Sequence, residues 1–141
     1  MDKKLLIKSA LEARELAYTP YSHFKVGAAL LTKEGEIIKG CNIENIGFSA
    51  TNCAERTAFF KAVSEGKRDF AAIAVVGGIE GKAELSTYAM PCGVCRQVML
   101  EFCNPDTFVV IVAKSEDDYK EFLLKDIIPE YFAPINQKLG V

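Results

Sequence analysis

Two uninterrupted apolar runs, FAAIAVVG at 70–77 and TFVVIVA at 107–113, constrain the fold of this 141-residue chain more than any other feature. Apolar runs of this length are typical of strands that are buried on both faces of a sheet. Such a sheet needs helices on either side to exclude water. The sequence therefore predicts an α/β protein whose sheet is covered on both faces.

Periodicity and turn residues predict the remaining elements. Residues 2–17 predict a first helix, because Leu6, Ala10 and Ala13 fall on one face and charged residues fill the other. The segments that follow are strands at 26–32 and 36–43 joined by a turn at 33–35, helices at 53–66 and 95–102, an edge strand at 119–123 and a short helix within 125–132. Together with the two apolar strands they predict a three-layer α/β/α sandwich with a mixed, roughly five-stranded sheet, in one domain over residues 1–141.

The composition argues against several classes of protein. The formal net charge is -2, which disfavours a protein that holds nucleic acid through a basic surface. The N-terminal segment lacks the apolar core and the cleavage site of a signal peptide, and the most apolar stretch, at 70–79, is too short to span a bilayer. We therefore expect a cytoplasmic protein with no membrane partner, whose five cysteines stay reduced.

Three of the five cysteines occupy similar positions, each near the start of a predicted helix that follows a loop. Cys53 lies in TNCAERTA, and Cys92 and Cys95 lie in PCGVCRQ. The N-terminus of a helix carries free N–H groups and a partial positive charge, both of which stabilise a thiolate. A catalytic zinc site uses three protein ligands and leaves a fourth position for water. These three thiols predict such a site, and no fourth ligand is evident.

The other two thiols and the single histidine are assigned to other roles. Cys41 ends a predicted strand and Cys103 ends a predicted helix, and free cysteines in such positions are most often small core residues. His23 is not expected to bind the metal, because three thiols already fill the protein positions of a catalytic zinc site.

Two charged residues follow Cys53 on the first turn of its helix. Glu55 points to another side of the helix but can still reach water at the metal, which is the position of a general acid and base. Arg56 lies three positions after Cys53 on the same face, so its guanidinium can reach the thiolates. Because three thiolates on a dication leave a net negative charge, we expect Arg56 to tune the site by withdrawing electron density from sulfur.

The pattern C-A-E…P-C-x-x-C is highly specific, and the stretches YSHFKVGAAL, NIEN, TNCAERTA and PCGVCRQV accompany it. With these stretches the chain resembles the small-subunit, homotetrameric cytidine deaminases over almost its whole length. The resemblance implies a cytidine deaminase-like fold, one zinc ion per chain and a homotetramer. It also implies hydrolytic deamination of cytidine and 2′-deoxycytidine to uridine and 2′-deoxyuridine with release of ammonia, a reaction of pyrimidine salvage.

The resemblance also implies roles for individual residues. Glu55 shuttles protons while water attacks the ring carbon that bears the amine. Asn42 and Glu44 bind the ribose hydroxyls, and alternate residues of an extended segment do face the same way. Phe24 packs against the pyrimidine ring, and Phe132 completes the site of a neighbouring subunit.

Four alternatives remain open. A thioredoxin-like redox role for Cys92 and Cys95 needs neither a third thiol nor a metal. A structural zinc site is another possibility, although such sites normally have four protein ligands. A nucleic-acid deaminase shares the cysteine and glutamate pattern but requires a basic surface for its substrate. A deaminase of another small aminopyrimidine nucleoside is the alternative closest to the favoured one.

Overall fold

The structure of the protein, a computed structural model, describes residues 1–130. Phe132, which is expected to complete a neighbour's site, lies outside this range. The α-helices and β-strands within it are α1 Lys3–Arg14, β1 Phe24–Thr32, β2 Ile37–Cys41, α2 Ala54–Ser64, β3 Phe70–Ile79, α3 Gly93–Phe102, β4 Val109–Ser115 and β5 Asp118–Leu123. Two short 3₁₀ helices span Phe48–Ala50 and Leu124–Ile127, and the second begins just before the segment in which a short helix is predicted.

The five strands form one mixed sheet in the order β2-β1-β3-β4-β5. β3 and β4 pair in parallel, whereas the β1–β2, β1–β3 and β4–β5 pairs are antiparallel. The two apolar runs thus become neighbouring inner strands, β3 and β4, whose residues are mostly buried. The predicted mixed, five-stranded sheet is confirmed.

Helices cover both faces of the sheet, which confirms the three predicted layers. α1 packs on one face, where Leu6, Ile7 and Ala10 are buried against residues of β1, β3 and β4. α2 and α3 pack on the opposite face, and their Phe59 and Met99 are fully buried in the larger apolar cluster. Both helices that follow the cysteines of interest therefore lie on the same side of the sheet.

β2 and α2 approach each other closely at Gly40. A Cβ atom at this position would lie 2.5 Å from the carbonyl oxygen of Ala54 and 2.5 Å from the amide nitrogen of Ala58. Nonbonded heavy atoms do not approach that closely without hydrogen bonding. The missing side chain of Gly40 therefore lets the first turn of α2, and with it Cys53, lie directly against the sheet.

The first helix is shorter than the predicted range 2–17. α1 ends at Arg14. The N–H groups of Leu16 and Ala17 bond three residues back, to Ala13 and Arg14, and the N–H of Tyr18 then donates to the carbonyl oxygen of Asn42 at 3.0 Å, where the chain becomes extended. The side chain of Arg14 is buried and donates to the carbonyl oxygen of Lys25 at 3.1 Å. The end of the helix is thus fixed by contacts with the sheet and not by its own apolar periodicity.

Candidate metal centre

The sulfur atoms of Cys53, Cys92 and Cys95 converge where α2 and α3 begin. Sγ of Cys92 lies 3.7 Å from Sγ of Cys53 and 3.5 Å from Sγ of Cys95, and all three sulfurs lie within 4.8 Å of one another. Thiolates that hold a tetrahedral zinc ion at about 2.3 Å are separated by about 3.8 Å. The spacing and the chemistry of the three donors therefore fit zinc. Among residues 1–130, no further histidine, cysteine or carboxylate joins this cluster.

Each of these cysteines lies at the start of a helix. Cys53 is the N-cap of α2, Cys92 is the N-cap of α3, and Cys95 lies in the first turn of α3. The backbone N–H of Cys95 donates to Sγ of Cys92 at 3.5 Å, so a free donor of the helix start faces that sulfur. The partial positive charges of two helix N-termini thus lie next to the same three sulfurs.

Arg56 contacts the thiol cluster directly. Its Nη2 donates to Sγ of Cys53 at 3.1 Å, and its Nε is buried without a hydrogen-bond partner among the described residues. A hydrogen bond from Cys95, together with the adjacent guanidinium of Arg56, lowers the pKa of Cys53 to about 5. The pKa of Cys95 is raised, because its thiol donates that hydrogen bond and is buried. Both effects favour the thiolate form of Cys53, which is the form that binds a metal.

Glu55, the second residue of α2, is buried beside the cluster without belonging to it. Only 4% of the residue is exposed, and it lines the same cavity as Cys53 and Cys92. Burial raises the pKa of its carboxyl group to about 7, and the negative charge of Cys53 acts in the same direction. A carboxyl group that titrates near neutral pH can both accept and donate a proton, as general acid–base chemistry requires.

A cavity of about 390 Å³ opens beside the thiols. Its volume lies within the range of pockets that hold small ligands, about 300–1,000 Å³. The walls come from β1, β3, the start of α2 and the segments before α2 and α3; the residues are Phe24, Val26, Asn42, Thr51, Asn52, Cys53, Ala54, Glu55, Val75, Thr87, Tyr88, Ala89, Met90 and Cys92. Apolar walls with a few convergent polar groups are typical of a site for a small organic molecule.

Phe24 and Asn42, both expected to contact the substrate, line this cavity. The amide of Asn42 also joins two parts of the chain: Oδ1 accepts from the N–H of Val26 and Nδ2 donates to the carbonyl oxygen of Phe24, each over 2.9 Å. An amide oxygen has a second lone pair and an amide nitrogen a second proton, so Asn42 retains one acceptor and one donor position. The same two bonds fix the start of β1 and therefore the backbone of Phe24.

Glu44 is not among the residues that line the cavity of the single chain. Its carboxylate accepts hydrogen bonds from the N–H groups of Tyr21 and Ser22, each at 3.0 Å, and from the hydroxyl of Ser22. Desolvation raises the pKa of Glu44, but these hydrogen bonds outweigh it and the resulting pKa is lowered. Glu44 thus anchors the loop that precedes Phe24, and its contact with a ribose hydroxyl stays a prediction.

The sequence predicts no role at the site for several cavity residues, although Val26 and Asn52 lie within the stretches YSHFKVGAAL and TNCAERTA. Val26 could have been found from strand alternation, which places it on the same face as Phe24. Asn52 could have been suspected only from its position next to Cys53. The segment 87–90 carries no pattern at all, and it forms one wall because it leads directly into the cysteines of α3.

Comparisons with known proteins point in the same direction as this geometry. Residues 1–112 match the family described as the cytidine and deoxycytidylate deaminase zinc-binding region. The chain is 52% identical to a cytidine deaminase of Halalkalibacterium halodurans, with 94% of this chain and 95% of the relative covered. It is 50% identical to a cytidine deaminase of Sporosarcina psychrophila, with 94% and 93% covered. The chain also matches the crystal structure of cytidine deaminase from Burkholderia pseudomallei, with a sequence identity of 47% and a TM-score of 0.81. The match covers 91% of this chain and 97% of the other chain.

Proposed function

The chain belongs to the cytidine and deoxycytidylate deaminase zinc-binding family, and on this premise we propose that it is a zinc-dependent cytidine deaminase, built as a single domain of residues 1–141. The reaction is the hydrolysis of cytidine and 2′-deoxycytidine to uridine and 2′-deoxyuridine, with release of ammonia. The observation that carries the proposal is the convergence of three thiols and one buried carboxyl group, that of Glu55, at one cavity.

The geometry favours a catalytic metal site over the other uses of Cys92 and Cys95. A redox pair needs two thiols, whereas a third sulfur, that of Cys53, lies 3.7 Å from Cys92. A structural zinc site normally has four protein ligands, and residues 1–130 bring three such groups together. A site with three ligands leaves a coordination position for a reactant.

Charge compensation around the thiols supports a reactive site. Zinc held by three thiolates supplies a Lewis acid that lowers the pKa of water and prepares it for attack near neutral pH. Three thiolates weaken that effect because they donate electron density. Arg56, through its bond to Cys53, and the N-termini of α2 and α3 offset this negative charge.

Glu55 carries the protons of the reaction. Its carboxylate accepts a proton from the attacking water, while the water oxygen bonds to the ring carbon that bears the amine. That proton is delivered to the neighbouring ring nitrogen. The second proton of the water passes to the amine, the bond between carbon and amine breaks, and ammonia leaves as the product carbonyl forms.

Three further residues bind the substrate. Phe24 offers an aromatic face to the pyrimidine ring, and Asn42 offers its remaining donor and acceptor positions to a ribose hydroxyl. A carboxylate has about four acceptor positions. The loop before Phe24 uses three of those on Glu44, so one remains for the second hydroxyl.

We further propose that four chains assemble into a homotetramer in the cytoplasm and act in pyrimidine salvage. Exposed apolar side chains support an assembly, since Ile46 and Phe48 are 80% and 74% exposed. The ring of Tyr21 lies 6.1 Å from that of Phe48 and extends the same patch. Phe132 is the residue proposed to reach a neighbour's site. Light scattering tests the assembly, and a fully active monomer would contradict it.

No helix of residues 1–130 has both the length and the apolarity to cross a bilayer.

An ammonia-release assay on zinc-loaded protein tests the reaction. We expect release from cytidine and 2′-deoxycytidine, and little or none from adenosine or free cytosine. Adenosine carries its amine on a larger, fused ring, and cytosine lacks the sugar that Asn42 and Glu44 bind. Folded, zinc-loaded protein that releases no ammonia from either nucleoside would overturn the proposal.

A further inference from the structure

β3 carries two adjacent glycines, and the first of them, Gly77, lies behind a wall of the cavity. A Cβ atom at Gly77 would lie 2.9 Å from Cε1 and 3.3 Å from Cζ of Phe24, and 2.9 Å from Cβ of Ala89. Carbon atoms in contact prefer separations of about 3.5–4.0 Å, so a methyl group at this position would displace a neighbour. Both of these neighbours line the cavity.

The pairing of β1 with β3 explains why the ring of Phe24 covers Gly77. Val26 is the cross-strand partner of Gly77, and Phe24 lies two residues before Val26 on the same face. Phe24 lines the cavity and Gly77 does not, so the ring lies between the glycine and the cavity. The backbone of Phe24 is held by Asn42, and a methyl group at position 77 would therefore push the ring into the cavity.

The second glycine, Gly78, faces the opposite side of the sheet, because consecutive residues of a strand point to opposite faces. A Cβ atom there would meet Cδ2 of Leu85 at 2.5 Å and Nη2 of Arg14 at 3.5 Å. Leu85 belongs to the apolar cluster on the side of α1, away from the cavity. Gly78 thus combines close crowding with distance from the substrate, which makes it a matched control.

We propose that Gly77 positions the substrate base: its missing side chain lets the ring of Phe24 lie back against β3 and thereby sets the depth of the cavity that receives the pyrimidine. This inference rests on the proposed function, in which Phe24 packs against the base. Gly77 acts through Phe24 and touches neither the thiols nor Glu55. Its effect should therefore appear in substrate binding and not in metal binding.

Steady-state kinetics on four zinc-loaded variants test this role: Gly77→Ala, Gly78→Ala, Phe24→Leu and the double variant Gly77→Ala/Phe24→Leu. We expect Gly77→Ala to raise KM for cytidine roughly tenfold or more, and a tenfold rise corresponds to about 1.4 kcal/mol of binding free energy. The change in kcat should be smaller, and the zinc content should be unchanged. Gly78→Ala should keep the KM of the parent. Leucine lacks the two ring atoms that meet the added methyl group, so the rise in KM caused by Gly77→Ala should be clearly smaller in the Phe24→Leu background, where only the contact with Cβ of Ala89 remains.

Four results would overturn the proposal: an unchanged KM in Gly77→Ala, an equal rise in Gly78→Ala, a rise of undiminished size in the Phe24→Leu background, or loss of zinc from Gly77→Ala. If Gly77→Ala alone does not fold, the proposal requires that Phe24→Leu restore folding at least in part, and a double variant as unfolded as Gly77→Ala alone would overturn it. The parent is assayed in parallel. An inactive parent refutes the proposed function and this inference together, whereas an active parent with an unaffected Gly77→Ala variant refutes only the inference.

Discussion

Nη2 of Arg56 donates a hydrogen bond to Sγ of Cys53 over 3.1 Å, so a positive charge lies against one of the three sulfurs of the cluster. Arginine keeps its charge throughout the pH range in which proteins work. The guanidinium favours the thiolate over the thiol and contributes to the lowered pKa of Cys53. We therefore expect the contact to affect both the chemistry of the site and its ability to hold a metal.

Arg56→Gln should weaken zinc binding and change its pH dependence. Without the guanidinium the pKa of Cys53 rises, protons compete more effectively with zinc, and zinc is released at a higher pH as the solution is acidified. A hydrogen bond to a charged group contributes about 1.5–3 kcal/mol, so we expect zinc affinity to fall roughly 10- to 100-fold. Chelator competition at a series of pH values measures both effects. Arg56→Lys should retain part of the affinity, and a glutamine variant that matches the parent at every pH would refute the prediction.

Each of the single variants Cys53→Ala, Cys92→Ala and Cys95→Ala should lose stoichiometric zinc binding. Each change leaves only two thiolates, which is fewer than a stable protein zinc site uses. Metal analysis of the purified variants measures the loss against one zinc per chain in the parent. Cys103→Ala is the matched control, because burial raises the pKa of that thiol and keeps it neutral in the core. Full zinc content in any of the first three variants would show that the residue is not a ligand.

Glu55→Gln should keep the fold and the zinc but lose turnover by roughly 10²- to 10⁴-fold. The amide has nearly the same shape as the carboxylate and cannot carry protons between water, ring nitrogen and amine. The kcat for cytidine and the zinc content are measured on the same preparation. Glu65→Gln, at the exposed C-cap of α2, is the control and should retain full activity. Turnover near the parent rate in Glu55→Gln would rule out the proposed proton transfer.

Asn42→Ala and Glu44→Ala should both weaken cytidine binding while leaving the zinc content near that of the parent. Each removes a partner from a sugar hydroxyl, at about 1–3 kcal/mol for a group left unpaired. Asn42→Ala should also lower the melting temperature, because the N–H of Val26 and the carbonyl oxygen of Phe24 lose their partner. Glu44→Ala releases only an exposed loop. Kinetics measures the loss of substrate binding, and thermal unfolding measures the loss of stability. Unchanged KM values in both variants would show that residues 42–44 have only a structural role.

The strands and the three thiol ligands could be predicted because each is marked by residue types within a short segment, although the meeting of Cys53 and Cys92 depends on the fold. An apolar run such as that of β3 has few physical explanations other than burial on both faces. Helix starts stabilise cysteines as thiolates, and the shared position near a helix start made Cys53, Cys92 and Cys95 recognisable as a set.

Other features depend on contacts between segments that are distant in sequence, and no local pattern reports them. The end of α1 is one, because the chain leaves the helix after Arg14 and bonds to Asn42 through Tyr18, although the apolar periodicity of the helix continues. The bonds that tie Glu44 to the loop at Tyr21 and Ser22 are another. The crowding behind Phe24 is a third, since it arises only when β1 and β3 pair in the observed register.

The separation of Cys53 and Cys92 along the chain bears on how the protein unfolds. The two residues are 39 positions apart, and the whole of α2 and β3 lies between them. A metal shared by the two closes a loop of that length. In the chain-entropy description of cross-links, such a loop lowers the entropy of the unfolded chain by an amount equivalent to about 4 kcal/mol at 25 °C. The group that makes the chemistry possible thus also acts as a reversible cross-link, and demetallation should turn α2, β3 and the start of α3 from one cooperative unfolding unit into parts that can open separately.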